Sequence, residues 1–132
     1  MSDRKLLNSL DNLERAVARL EEAVALPRDH ALIFEATIQC FEYSCELLWK
    51  TLKHALTRFG IEAYSPRSVI KEAYKQNLLS DDKTWLRILD IRNTTSHVYL
   101  TEDPVVEIYE SIVQLTPVFQ KEIKSLKSRL EK

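Results

Sequence analysis

The chain has 132 residues, with 19 Lys and Arg against 20 Asp and Glu, a formal net charge of −1, 45% hydrophobic residues and one glycine. That length fits a single domain, residues 1–132, which buries roughly two-thirds of the surface its unfolded form exposes, so a core forms without disulfides or metal and disorder is not expected. The lone glycine, Gly60, excludes Gly-rich phosphate loops and dinucleotide fingerprints, and the near-neutral charge excludes a protein that coats nucleic acid through its overall field.

The N-terminus, Met1-Ser2-Asp3-Arg4-Lys5, leads straight into an amphipathic pattern. With no apolar leader and no apolar run of about 18 residues, a cytoplasmic chain is expected, neither secreted nor membrane-spanning. Leu6, Leu10, Leu13, Val17, Leu20 and Val24 step by four and three, which predicts a long amphipathic helix. Pro27 and Asp29 break it, with Asp29 as the expected N-cap of a second helix through Phe34, Ile38, Phe41, Cys45, Leu48, Leu52, Ala55 and Phe59. Gly60 supplies the left-handed stop. The short connection makes these two helices an antiparallel hairpin.

Ser65-Pro66 reads as an N-cap and first helical residue, opening a short third helix with Val69, Ile70, Ala73 and Tyr74 on its apolar side and an end near Asn77. Asp81 or Asp82 caps a fourth helix through Trp85, Ile88, Leu89 and Arg92. It enters the run Asn93-Thr94-Thr95-Ser96, whose side chains compete for the backbone, so distortion or fraying is expected there. Asp103-Pro104 opens a last helix with Val105, Ile108, Ile112, Leu115, Phe119, Ile123, Leu126 and Leu130 as its stripe and a kink at Pro117. No segment alternates long enough to compete as a strand. The predicted fold is all-α, an up-and-down antiparallel four-helix bundle with one additional short helix. The basic residues of the tail, Lys121, Lys124, Lys127, Arg129 and Lys132, read as a solvated helix C-terminus favoured by the macrodipole.

Cys40 and Cys45 lie on one predicted helix at a spacing that points them apart, so reduced thiols rather than a disulfide are expected. His30, His54 and His97 are far apart in the sequence, and no Cys or His cluster completes a ligand set, so neither a metal nor a cofactor is expected. His97 stands out because it closes Ile91-Arg92-Asn93-Thr94-Thr95-Ser96-His97-Val98-Tyr99, a polar cluster that interrupts an apolar helix pattern.

Arg92, His97 and Tyr99 follow the pattern Arg, four residues, His, one residue, Tyr. Together with Phe41-Glu42-Tyr43, Glu46-Leu47-Leu48-Trp49-Lys50, Ser65-Pro66-Arg67 and Trp85, this stretch resembles the nucleotidyltransferase substrate-binding proteins, a branch of the HEPN superfamily. The resemblance covers most of the chain. It implies a helical subunit, homodimeric, that binds a minimal nucleotidyltransferase encoded nearby and contributes a substrate or nucleotide pocket around Arg92, Asn93, His97 and Tyr99. The alternative that it implies is a metal-independent ribonuclease toxin, with Arg92 and His97 catalytic, held in check by the nucleotidyltransferase through AMP transfer to Tyr99. Nucleotide or RNA is then engaged locally, and no membrane is involved.

Physical chemistry constrains these readings. Metal-independent RNA cleavage needs a base for the 2′-hydroxyl, an acid for the leaving oxygen and a cation for the charge developing at phosphorus. One chain offers one suitable histidine, His97, and one guanidinium, Arg92; a twofold dimer supplies two of each. Residues five apart on an ideal helix lie roughly 140° apart around the axis, so Arg92 must reach across or the helix must bend, whereas Asn93 and His97 face the same way. The residues are equally compatible with Arg92 pairing with Asp90, Glu42 or Glu46 and with His97 satisfying a buried carbonyl. Nucleotidyl transfer by this chain is not expected, because that reaction needs clustered metal-binding carboxylates after a Gly-Ser turn, and neither occurs here.

Overall fold

The computed structural model describes residues 2–29, 32–95 and 103–130. Five helices follow one another: α1 Ser2–Ala25, α2 Ile33–Arg58, α3 Pro66–Lys75, α4 Lys83–Thr95 and α5 Asp103–Leu130. All described elements are helical, as the apolar periodicity predicts. Among the described residues no helix is long and apolar enough to cross a membrane. α2 is the hub and packs on each of the other four helices, most extensively on α1, while α1 and α5 also touch.

The α1–α2 seam is made of small residues. Thr37, Ser44 and Thr51, seven apart on α2, are fully buried, and Ala16 and Ala23 on α1 are nearly so. Ser9 Oγ meets Thr51 Oγ1 at 2.6 Å, and because the Thr51 hydroxyl hydrogen goes to the Leu47 carbonyl at 2.7 Å, Ser9 is the donor. Antiparallel continuation of that register sets Ala16 opposite Ser44 and Ala23 opposite Thr37. Alanine offers no hydrogen-bonding group, and among the described residues the hydroxyls of Thr37 and Ser44 have no partner. Larger apolar residues fill the rest of the interior: Phe41 meets Phe119 edge-on at 6.0 Å, and Phe119 meets Trp85 at 5.0 Å.

The helix ends are built from local chemistry. Ser65 caps α3 by accepting from the Ser68 amide at 3.1 Å, and the Ser68 hydroxyl accepts in return from the Ser65 amide at 3.1 Å. Asp81 Oδ1 accepts from the Thr84 amide at 2.7 Å, and the Asp82 carbonyl accepts from the Leu86 amide at 2.8 Å, so both aspartates contribute to the start of α4. α2 and α3 stop on left-handed residues, Gly60 at φ 75° and Asn77 at φ 61°, with Ile61 donating to Leu56 and Leu78 to Ala73 across the turn.

Several expectations are corrected. Asp29 does not cap α2. The cap is Leu32, left-handed at φ 67° with no side-chain bond, because the helix start is set by what it buries. Ile33 enters the core, and Phe34 packs edge-on against Tyr109 at 4.9 Å. Phe59 and Tyr74, placed on apolar stripes by periodicity, are exposed where their helices end. Asn93-Thr94-Thr95 does not break α4. The hydroxyls of Thr94 and Thr95 bond back to the Ile91 and Arg92 carbonyls, each at 2.7 Å, within an unbroken helix. α5 carries Pro117 inside it. Of the basic tail, Lys127 pairs with Glu14 at 3.4 Å and Arg129 donates to the Asn77 carbonyl.

Glu122 is a buried carboxylate on α5 that binds α4 and the segment before it. It accepts from Trp85 Nε1 at 3.2 Å, from the Ser80 amide at 3.1 Å and from the Ser80 hydroxyl.

Two stability predictions follow from these contacts. Ser44→Ala removes an unsatisfied buried hydroxyl and should raise unfolding free energy by about 1 kcal/mol, whereas Ala16→Leu overfills the seam and should lower it by about 2 kcal/mol. Glu122→Ala leaves the buried Trp85 Nε1 unpaired and cuts the tie to Ser80, and should cost about 2 kcal/mol. Urea denaturation of the three variants, followed by circular dichroism, checks both.

Candidate functional site

Arg92 lies in the last turn of α4, half-buried, and Asn93 beside it is exposed. The end of α4 is tied to α2 by the Thr95 hydroxyl, which contacts the Glu42 carboxylate across the helix pair. α2 contributes Glu42, Cys45 and Glu46 around Arg92, and the Arg92 charge acts on the Cys45 thiol in opposition to those two carboxylates. Among the described residues no ion pair joins Arg92 to Glu42, Glu46 or Asp90. Asp90 is instead taken by Arg67 at 2.7 Å, and Glu46 by Lys50 at 3.7 Å.

Arg92 lines two hollows. One, of 260 Å³, lies between α2, α3 and α4, with Trp49, Ile70, Trp85 and Leu89 among its walls and Glu46, Arg92 and Asn93 as its polar members. The other, of 650 Å³, is a shallow groove over α1, α2 and α4 lined by Arg19, Gln39, Cys40, Glu42, Tyr43, Glu46 and Arg92. Tyr43 is 64% exposed there. The site therefore combines a guanidinium, two carboxylates and an amide with aromatic walls.

The structure thus brings Arg92 and Asn93 together, as their adjacency on a helix requires. His97 and Tyr99 lie outside the described residues, as do His30 and Ser96. Sequence reasoning named Glu42 and Glu46 only as pairing partners and missed the hollow that Trp49 and Trp85 share. Its signal was the presence of the chain's two tryptophans on helices that flank Arg92.

With that geometry in place, the comparisons are decisive for the family. Residues 8–132 match the family described as nucleotidyltransferase substrate binding protein like. The chain belongs to this family. Members and relatives are similar along nearly the whole chain. A Haemophilus influenzae protein named "Probable ribonuclease HepT" is 28% identical over 125 residues, covering 85% of each chain. A crystal structure from Thermus thermophilus is 30% identical with a TM-score of 0.74, over 91% of this chain and 99% of that one. The fold alone is shared, at 16% identity, with the tri-AMPylated Shewanella oneidensis HEPN toxin solved in complex with its MNT antitoxin, at a TM-score of 0.75 over 93% of this chain and 96% of that one. A mutant MntA-HpeT toxin-antitoxin complex gives a TM-score of 0.78, also at 16% identity, over 93% of this chain and 97% of that one.

Both cysteines are free. In this family member burial pushes the Cys45 thiol well above the ordinary range, and burial also raises the half-buried Cys40, against the pull of Arg19. Below about pH 8.5 the thiol is protonated folded and unfolded; above it the unfolded thiol ionises while folded Cys45 does not, so stability falls as pH rises. Between pH 8 and pH 10 the wild type should lose about 2 kcal/mol more unfolding free energy than Cys45→Ala, measured by urea denaturation at the two pH values.

Proposed function

We propose that this protein is the helical subunit of a two-component system with a minimal nucleotidyltransferase, and that as a homodimer it cleaves RNA without metal through Arg92 and His97. The observation that carries the reading is the place of Arg92: a guanidinium half-buried at the junction of two hollows, on the turn of α4 that leads to His97. The likeness to a relative named as a probable ribonuclease supports it.

In this mechanism Arg92 holds the phosphate oxygens and stabilises charge developing at phosphorus. One imidazole takes the 2′-hydroxyl proton as the 2′-oxygen attacks phosphorus. The bond from phosphorus to the 5′-oxygen breaks, and a protonated imidazole from the second protomer gives its proton to that oxygen. The products are a 2′,3′-cyclic phosphate and a 5′-hydroxyl. Tyr99 is the acceptor through which the nucleotidyltransferase silences the subunit: its phenol oxygen attacks the α-phosphorus of ATP, pyrophosphate leaves, and AMP remains on the ring. Asn93 orients the phosphate or the imidazole.

A second reading is favoured by the half-open, aromatic-walled hollow beside Arg92. In it the subunit binds substrate for the nucleotidyltransferase through Arg92, Asn93, His97 and Tyr99 and cleaves nothing.

The test is cleavage of a generic RNA in EDTA by wild type, His97→Ala and Arg92→Ala, with folding checked by circular dichroism. Wild type should cleave and leave cyclic phosphate ends, and His97→Ala should be slower by at least about a hundredfold. Cleavage that His97→Ala leaves unchanged overturns the mechanism. Absence of cleavage by all three leaves the substrate-binding reading.

A further inference from the structure

We propose that the hollow between α2, α3 and α4 is a nucleobase pocket that takes an amino-bearing purine while the attached phosphate rests on Arg92. The proposal rests on the reading that Arg92 engages phosphate and adds what lies next to it. Size is the first argument. An apolar cavity of about 150 Å³ holds a benzene ring and drug-sized ligands need about 300–1,000 Å³. At 260 Å³ the hollow exceeds one six-membered ring and falls short of a whole nucleotide, so a bicyclic base enters and its ribose and phosphate stay outside.

Chemistry is the second. Trp85 is fully buried, Trp49 is half-buried, and Ile70 and Leu89 complete an apolar lining suited to the faces of a base. Glu46 fixes the Trp49 ring by accepting from its Nε1 at 3.2 Å. A carboxylate accepts several hydrogen bonds, so Glu46 retains capacity for the amino group of a base, the pairing that carboxylates make with amino-bearing bases elsewhere. Arg92 belongs to the same lining, which places the cation for a phosphate beside the slot for the base. The ligand is a free nucleotide or one nucleotide unit of an RNA strand.

Tryptophan emission reports on this pocket directly, because the chain has two tryptophans and both line it. The full-length protein is titrated with AMP, UMP, ribose 5-phosphate and a short oligoadenylate. AMP or oligoadenylate should change the emission saturably, with oligoadenylate alone assigning the base to RNA and AMP as well to free nucleotide. Ribose 5-phosphate should change it far less. Trp49→Ala should weaken binding of the adenine ligand by about tenfold or more, the scale of a lost base–aromatic stack, while Trp49→Phe keeps most of it. No saturable change with either adenine ligand, or ribose 5-phosphate binding as tightly as AMP, overturns the pocket; UMP binding as tightly as AMP overturns the role of Glu46. The titration is independent of RNA cleavage, so a ribonuclease lost in His97→Ala with no adenine-dependent emission retains the proposed function and discards the pocket.

Discussion

The fold depends on α2 being packed by all four other helices, and the α1–α2 seam makes that arrangement possible. Small side chains every seven residues let two long antiparallel helices lie close along their length. That proximity leaves the bulky residues of α2, Phe41, Leu48 and Leu52, to face the other helices. The seam carries a cost in the two unsatisfied hydroxyls of Thr37 and Ser44. Serine and threonine keep the helices close without the volume of a larger apolar residue.

Around that hub, two carboxylates tie helices together in different ways. Glu122 is buried and surrounded by donors, so it fixes α4 and its preceding segment against α5 as structure. Glu42 is half-buried, meets the Thr95 hydroxyl, and lies on the groove that also holds Arg92. The first anchor positions the start of α4 and the second its end. Together they set where Arg92 emerges.

Family membership and site geometry bear on the same few residues. The family match covers residues 8–132, and the resemblance legible in the sequence centres on Arg92, His97 and Tyr99. The structure adds that Arg92 is not held in an ion pair with Glu42, Glu46 or Asp90, the pairing its sequence neighbours allowed, since Asp90 goes to Arg67. That leaves the Arg92 guanidinium at the meeting of two hollows, near carboxylates and aromatic walls.

The sequence by itself determined the helices, most of their ends and the family, because these rest on local facts: apolar spacing, Ser65-Pro66, Asp81-Asp82, Gly60 and the Arg92 to Tyr99 pattern. It did not determine the start of α2, where burial of Ile33 overrode the capping preference of Asp29. Nor did it foresee that Asn93-Thr94-Thr95 would remain helical, since the hydroxyls satisfied their own turn and Thr95 found Glu42 on another helix. The seam, the Glu122 anchor and the pocket shared by Trp49 and Trp85 were decided by tertiary structure alone. Each joins residues far apart in the chain, and only the packing of helices brings such residues within reach.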